Sequence, residues 1–285
     1  MKKVYSMAAL AFFAASSLTA QNGGQAPKAA EQAAHHQRSG QEMMSQVRES
    51  FKAGGYDAFL ANLRADYQTY MKSGHFNEFV KMRDIPQGDE KLLQLSAHWD
   101  SLNQQLLDER NQELKAAIEK QEDSSIGQRV QSILTPLSTD QKDILHYMSS
   151  LRFKTPDKAA NDDERKLIEI DLASEFYIVH LDSQYAQKPF DDRVEKHILI
   201  NMDMYRQMAD AAQSFDNSQL KKKISEAAAG FDSWQARSLD MRELNRLVKK
   251  PGSDLEKKIA SILSSYQVKK EDLYQKEFLA KIDKQ

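Results

Sequence analysis

Seven histidines and no cysteine set the range of chemistry open to this 285-residue chain. Without thiols there is no disulfide framework, no thiol nucleophile, no thiolate metal site and no cysteine for lipid attachment. Metal sites on helices need ligands three or four residues apart, as in His-Glu-x-x-His or Glu-x-x-His, because only those positions share a face. Neither string occurs. The nearest approaches are Asp143 with His146 and the adjacent pair His35 and His36. Adjacent side chains on a helix point about 100° apart, so His35 and His36 could share a metal only where the backbone around them is not helical. The expectation is no cofactor, with His35 and His36 as the metal candidates of last resort.

His98, His146, His180 and His197 each stand beside apolar residues at helical spacing, which reads as the polar flank of a core contact. His180 with Asp182 and His197 with Glu195 are two residues apart, on different sides of a helix, so no dyad forms within one. Carboxylates four apart, such as Asp171 with Glu175 and Asp191 with Glu195, fit solvated helix faces. No Gly-x-Ser-x-Gly, Walker loop or glycine-rich dinucleotide turn is present. An enzyme is therefore not expected, although a site assembled from distant helices would be invisible at this level.

Recognition has a stronger signal. Tyr56, Phe59, Tyr67, Tyr70, Phe76 and Phe79 place six aromatics in a short stretch of a chain that is 8% aromatic, and they are the candidate partner-binding residues. Such an excess fits either a tightly packed helix pair or a groove that receives a partner. The same region holds two related strings, KAGGYDAFL (Lys52 to Leu60) and KSGHFNEFV (Lys72 to Val80). They read as two successive helix–helix corners. Gly54 and Gly74 suit the left-handed residue that closes a helix, Lys52 and Lys72 sit near the negative end of the dipole, and His75 is an exposed turn residue.

The elements that must position these residues are helices. Apolar residues recur at steps of three and four: Tyr56, Phe59, Leu60, Leu63, Tyr67, Tyr70, Met71; Ile144, Leu145, Met148, Leu151; Leu220, Ile224, Ala227, Phe231, Trp234; Leu255, Ile259, Ile262, Leu263, Tyr266. Leu92, Leu95, Trp99, Leu102 and Leu106, continued by Leu114 and Ile118, predict one long helix around 89–122. Pro86, Pro136, Pro156, Pro189 and Pro251 fall between stripes, as expected of a residue that costs about 3 kcal/mol inside a helix. Ser138 with Gln141 and Ser253 with Glu256 are capping boxes at helix starts. Leu167 to Leu181 alternates like a strand, but no second strand of similar quality exists to pair with it, so it too reads as helix. The fold class is all-α, with about nine or ten amphipathic helices in a bundle or a stacked helical-hairpin array.

Ahead of the helices, Met1 to Ala20 has Lys2 and Lys3, an uncharged apolar run and small residues at the end, the layout of a signal peptide. The run of about fourteen residues is short for a membrane span, so no transmembrane segment is expected after cleavage. Residues 21–41 read as a flexible leader and 42–285 as the helical domain, with a possible subdivision near 136–156. The chain is near neutral, with 40 basic and 42 acidic residues, and its lysine doublets near the C-terminus alternate with acids, so nucleic acid is not an expected partner. The acidic stretch 155–203 and the basic tail could pair with each other across the fold. The functional expectation is an exported, periplasmic or secreted helical protein acting through contacts with a protein partner, as scaffold, adaptor, chaperone-like binder or host-facing factor. The alternative is a ligand- or metal-binding helical bundle of the cell envelope.

Overall fold

The structure is a computed structural model that describes residues 39–83, 90–122, 124–152, 154–184 and 190–280. Met1 to Ala20, nearly all of the leader, and His35 and His36 lie outside the described residues. Ten α-helices run in order: α1 (Gly40–Lys52), α2 (Asp57–Met71), α3 (Phe76–Arg83), α4 (Glu90–Ile118), α5 (Ser125–Leu134), α6 (Thr139–Leu151), α7 (Asp162–Gln184), α8 (Phe190–Ala212), α9 (Ser218–Lys249) and α10 (Asp254–Tyr274). A 3-10 turn at Pro156–Lys158 and a π-helical turn at Gln275–Leu279 complete them. No strand occurs among the described residues, and the chain is all-α.

The chain divides into two units. The first holds the described residues of Gln41–Ile85 and Leu137–Gln235, the second Gly40, those of Pro86–Pro136 and Ala236–Gln285. Helix α9 therefore contributes to both, and Gly40, the first residue of α1, belongs with the second.

In the first unit α7 is the central element. Its Leu167, Ile168 and Ile170 join Ile144, Met148, Leu151, Met204, Met208 and Ile224 in one core, while Leu172, Phe176, Tyr177 and Leu181 join Leu63, Tyr67, Phe79 and Ile200 in another. A helix buried on several sides carries apolar residues all round, which is why Leu167 to Leu181 looks strand-like in sequence. Asn161 caps α7, accepting from the Glu164 N–H at 2.9 Å, and Glu164 accepts from the Ala160 N–H at 2.8 Å. Buried carboxylates are met by polar side chains: Asp203 accepts from Arg64 of α2 and from Arg206 and Gln207 of its own helix at 2.6, 2.5 and 2.8 Å, and Lys154, ahead of α7, reaches Glu164 at 2.7 Å. Asp203 is thus met by Arg64 from earlier in the chain and by Arg206 one turn on, and Glu164 by Lys154.

In the second unit the 29-residue α4 packs along α10. Leu114, Ile118, Val130, Ile133, Leu244, Leu255, Ile259 and Leu263 form the core. Arg110 lays its guanidinium over the Tyr266 ring, 4.9 Å from the centroid, and Lys269 pairs with Glu109 at 3.3 Å. Asp240, 2% exposed, accepts from the Gly40 N–H at 2.8 Å and faces Arg129 at 3.6 Å.

Both capping boxes form: Ser138 accepts from Gln141 N and Ser253 from Glu256 N, and each third residue returns a bond to the cap backbone. Helix α1 starts at Gly40 and buries Met44. Two features depart from the apolar pattern. A separate helix α5 follows α4, opened by Ser124, whose hydroxyl accepts from Gly127 N. The stripe ending at Trp234 belongs to a helix, α9, that runs on to Lys249. Gly230 within it leaves room for the Trp234 ring, one turn on, which a Cβ would meet at 2.6 Å.

The two repeated strings do form corners. Gly54 has φ +75° between α1 and α2. Gly74, between α2 and α3, is not left-handed, because Ser73 closes α2 instead: its N–H and hydroxyl both donate to Tyr70 O, at 2.9 and 2.7 Å. His75 is exposed there and lies 3.4 Å from Glu78. Among the described residues, no helix is long and apolar enough to cross a membrane.

Candidate interaction surface

The aromatics that the sequence singles out come together at one corner of the first unit, where α2 and α3 meet α7 and α8. Tyr67 and Phe79 are buried, and Phe59, Tyr70 and Phe76 are half-buried against them. Phe176 of α7 is the hub, with ring centroids at 5.3 Å from Tyr67, 4.8 Å from Tyr70 and 6.2 Å from Phe79. Tyr70 meets Phe76 and Phe79 edge-on at 6.2 and 6.0 Å. Edge and offset geometries align the positive ring edge with a negative face, contributing about 0.5–1.5 kcal/mol per pair beyond burial.

Tyr56 stands apart from the hub. Its hydroxyl donates to Glu195 of α8 at 2.9 Å, and Lys196 lies over both the Tyr56 and Phe59 rings at 4.9 and 5.1 Å. Burial, with Glu195 adding to it, raises the Tyr56 phenol above its ordinary value. Five of these rings therefore serve the packing of the corner, and three of them, Phe59, Tyr70 and Phe76, remain only half-buried. Val179, one turn beyond Phe176, is 55% exposed.

The same corner gathers two histidines with carboxylates from neighbouring helices. His180 stacks on Phe176 with centroids at 5.3 Å and planes 14° apart. Its Nε2 lies 3.1 Å from Asp66 Oδ2 on α2 and 2.7 Å from the side-chain amide of Gln184. His197 on α8 points Nε2 at Asp182 Oδ1 on α7, 2.9 Å away. Neither partner is the one at sequence spacing two, and both contacts cross between helices. Asp66 lies 114 residues from His180 and gives no signal in the sequence, whereas Gln184, four residues on, is at a spacing that points to it.

The remaining candidates stay dispersed. His98 of the second unit pairs with Glu277 at 3.5 Å, and His146 is exposed on α6. Among the described residues, no three His, Cys, Asp or Glu side chains are grouped to hold a metal. Two depressions lie in the second unit: a slot of about 10 Å³, the room of one water, beside Arg110 and Tyr266, and an open hollow of about 330 Å³ lined by Asp108, Asn111, Gln112, Lys115 and Leu134. Their lining includes no histidine. The lysine doublets are engaged locally: Lys221 donates to Gln213 O, Lys223 covers Tyr147, and Lys222 and Lys257 pair with Glu226 and Asp254 one turn away.

Chemically, the corner offers oriented imidazoles, a positive charge over aromatic faces and an incompletely covered apolar cluster. No protein-family model, no curated protein and no solved structure matches this chain at a significant level, so its functional reading rests on its own residues and geometry.

Proposed function

We propose that this protein is exported and works by holding a protein partner against the aromatic corner of its first unit, as a scaffold, adaptor, chaperone-like binder or host-facing factor. The observation that supports it is the incomplete burial of the aromatic cluster: Phe59, Tyr70 and Phe76 are packed against it yet only half-buried. Rings anchored on one side and open on the other offer large contact area with little rotamer freedom left to lose. Interface centres are enriched in such residues. Export is supported by the charge and hydropathy pattern of Met1 to Ala20. A second reading, a metal- or ligand-binding helical protein of the cell envelope, is favoured by the contacts of His180.

A photo-cross-linking residue placed at Asn77, exposed on α3 between Phe76 and Phe79, tests the first reading in envelope and secreted fractions. One stoichiometric adduct is expected, and Tyr70→Ala, compared with the parent well below the variant's own melting temperature, should weaken it more than Tyr70→Phe, which keeps the ring packed on Phe176. Absence of any stoichiometric adduct overturns it.

A further inference from the structure

The open hollow of about 330 Å³ in the second unit falls within the size range of small-molecule clefts, about 300–1,000 Å³. Two successive turns of α4 line it with Asp108, Asn111, Gln112 and Lys115, and Leu134 at the end of α5 supplies an apolar side. Two arginines adjoin this lining. Arg110, 8% exposed, donates Nε and Nη2 to Asn111 Oδ1 at 3.2 and 2.7 Å. Arg237 donates to the carbonyls of Ile133 and Thr135, on either side of Leu134, at 2.6 Å each. Among the described residues neither guanidinium meets an acid: Arg110 has the Asn111 amide and the Tyr266 ring, and Arg237 has the partial negative charge of a helix C-terminus. Burial pulls both below the ordinary arginine value; for Arg110, Tyr266 offsets part of that and Arg237 adds to it. Cations so placed leave a positive potential that an anion on this face would answer.

The same bonds fix what Asn111 offers. A guanidinium only donates, so the amide oxygen must face Arg110, and the Nδ2 group with its two hydrogens is the end left for a ligand. Lys115 is exposed and, among the described residues, pairs with no acid, so its ammonium is a second available donor. Asp108 accepts from Gln104 at 2.8 Å and keeps lone pairs for a hydroxyl, while Gln112 can donate or accept. We propose that this hollow binds a sugar acid, with its carboxylate on Lys115 and the Asn111 amide, its hydroxyls on Asp108 and Gln112, and a face of its ring against Leu134. The site is in the second unit, away from the aromatic corner, and does not rest on the partner-binding reading. A neutral sugar leaves Lys115 and the arginine potential unanswered. A bare inorganic anion gains nothing from Asp108, which repels it. A free sugar acid and a uronate within a polysaccharide present the same groups, and an open hollow admits either.

Calorimetric titration of the full chain with sodium galacturonate and sodium glucuronate at low salt tests the proposal. One saturable site is expected for at least one of them, with galactose, glucose and inorganic phosphate binding about tenfold or more weakly. Asn111→Asp is the decisive variant, because it keeps an oxygen for Arg110 and replaces the donor amide with a second, repelling oxygen. Binding should fall about tenfold or more while the fold persists. Lys115→Met should weaken binding similarly, and Lys72→Met, in the first unit, should leave it unchanged. A galacturonate trimer that binds more tightly than the monomer assigns the site to polysaccharide; equal or weaker binding assigns it to the free acid. Matching thermal melts separate lost recognition from lost folding, and if Asn111→Asp fails to fold, Lys115→Met carries the test. No saturable heat with any uronate probe, equal affinity for inorganic phosphate, or uronate binding that survives both substitutions overturns the site.

Discussion

Phe176 and His180, one turn apart on α7, stack with centroids 5.3 Å apart, and Phe176 simultaneously touches the rings of Tyr67, Tyr70 and Phe79. A single side chain thus connects the core of the first unit to an imidazole at its surface. Phe176→Ala should lower unfolding stability by about 3–5 kcal/mol, the range for deleting a buried phenyl ring, read by urea denaturation. The same variant should free the His180 ring, visible as a collapse of its ring-current-shifted proton resonances toward random-coil positions.

The six sequence-selected aromatics should separate by burial. Phe79, 6% exposed and packed on Phe176, should cost about 3 kcal/mol or more when replaced by alanine. Phe59 is half-buried beneath Lys196, so Phe59→Ala should cost no more than about half as much. Thermal melts of the two variants check the ranking, and equal losses would show that the corner is closed in solution.

Glu164 provides an acid-sensitive fastening of α7. Burial alone would raise its carboxyl, but the hydrogen bonds from Lys154 Nζ and the Ala160 N–H outweigh it and hold the group below its ordinary value of 4.5. A carboxyl depressed in the folded state contributes stability above its unfolded value and loses it as pH falls through the folded one. Unfolding measured from pH 6 downward should therefore weaken below about pH 4.5, and Glu164→Gln should be less stable at pH 6 and show a shallower acid limb.

Gly40 sets two opposing effects against each other. Alanine at a helical glycine commonly gains up to about 1 kcal/mol through helix propensity. Here an added Cβ would lie 2.0 Å from the Ala236 carbonyl oxygen, a backbone atom that cannot rotate away. The clash should win, because relieving it pulls the Gly40 N–H from buried Asp240. Gly40→Ala is expected to destabilise by about 2 kcal/mol, whereas Gly74→Ala, with open space around it, should be near neutral or stabilising; paired melts decide it.

Much of the architecture was readable locally. Helix α10 begins where Pro251, Gly252 and the Ser253–Glu256 box place it, and α4 spans most of the length its leucines predict. The misreadings have physical causes. Helix α5 is separated from α4 by a turn at Gln121 to Ser124 without proline or glycine, where Gln121 N bonds back to Ile118 O and Ser124 caps α5. Helix α9 runs unbroken past Trp234, for whose ring Gly230 makes room.

The site divides in the same way. By itself the sequence determined an all-helical chain, most of its helix ends, and the cluster of aromatics between Tyr56 and Phe79, because helix periods, caps and corner glycines act over three or four residues. Only the tertiary structure decided that these rings converge on Phe176 and that His180 and His197 meet Asp66 and Asp182. Those meetings depend on which helix packs against which, a choice made by the summed burial of many side chains and written in no single spacing.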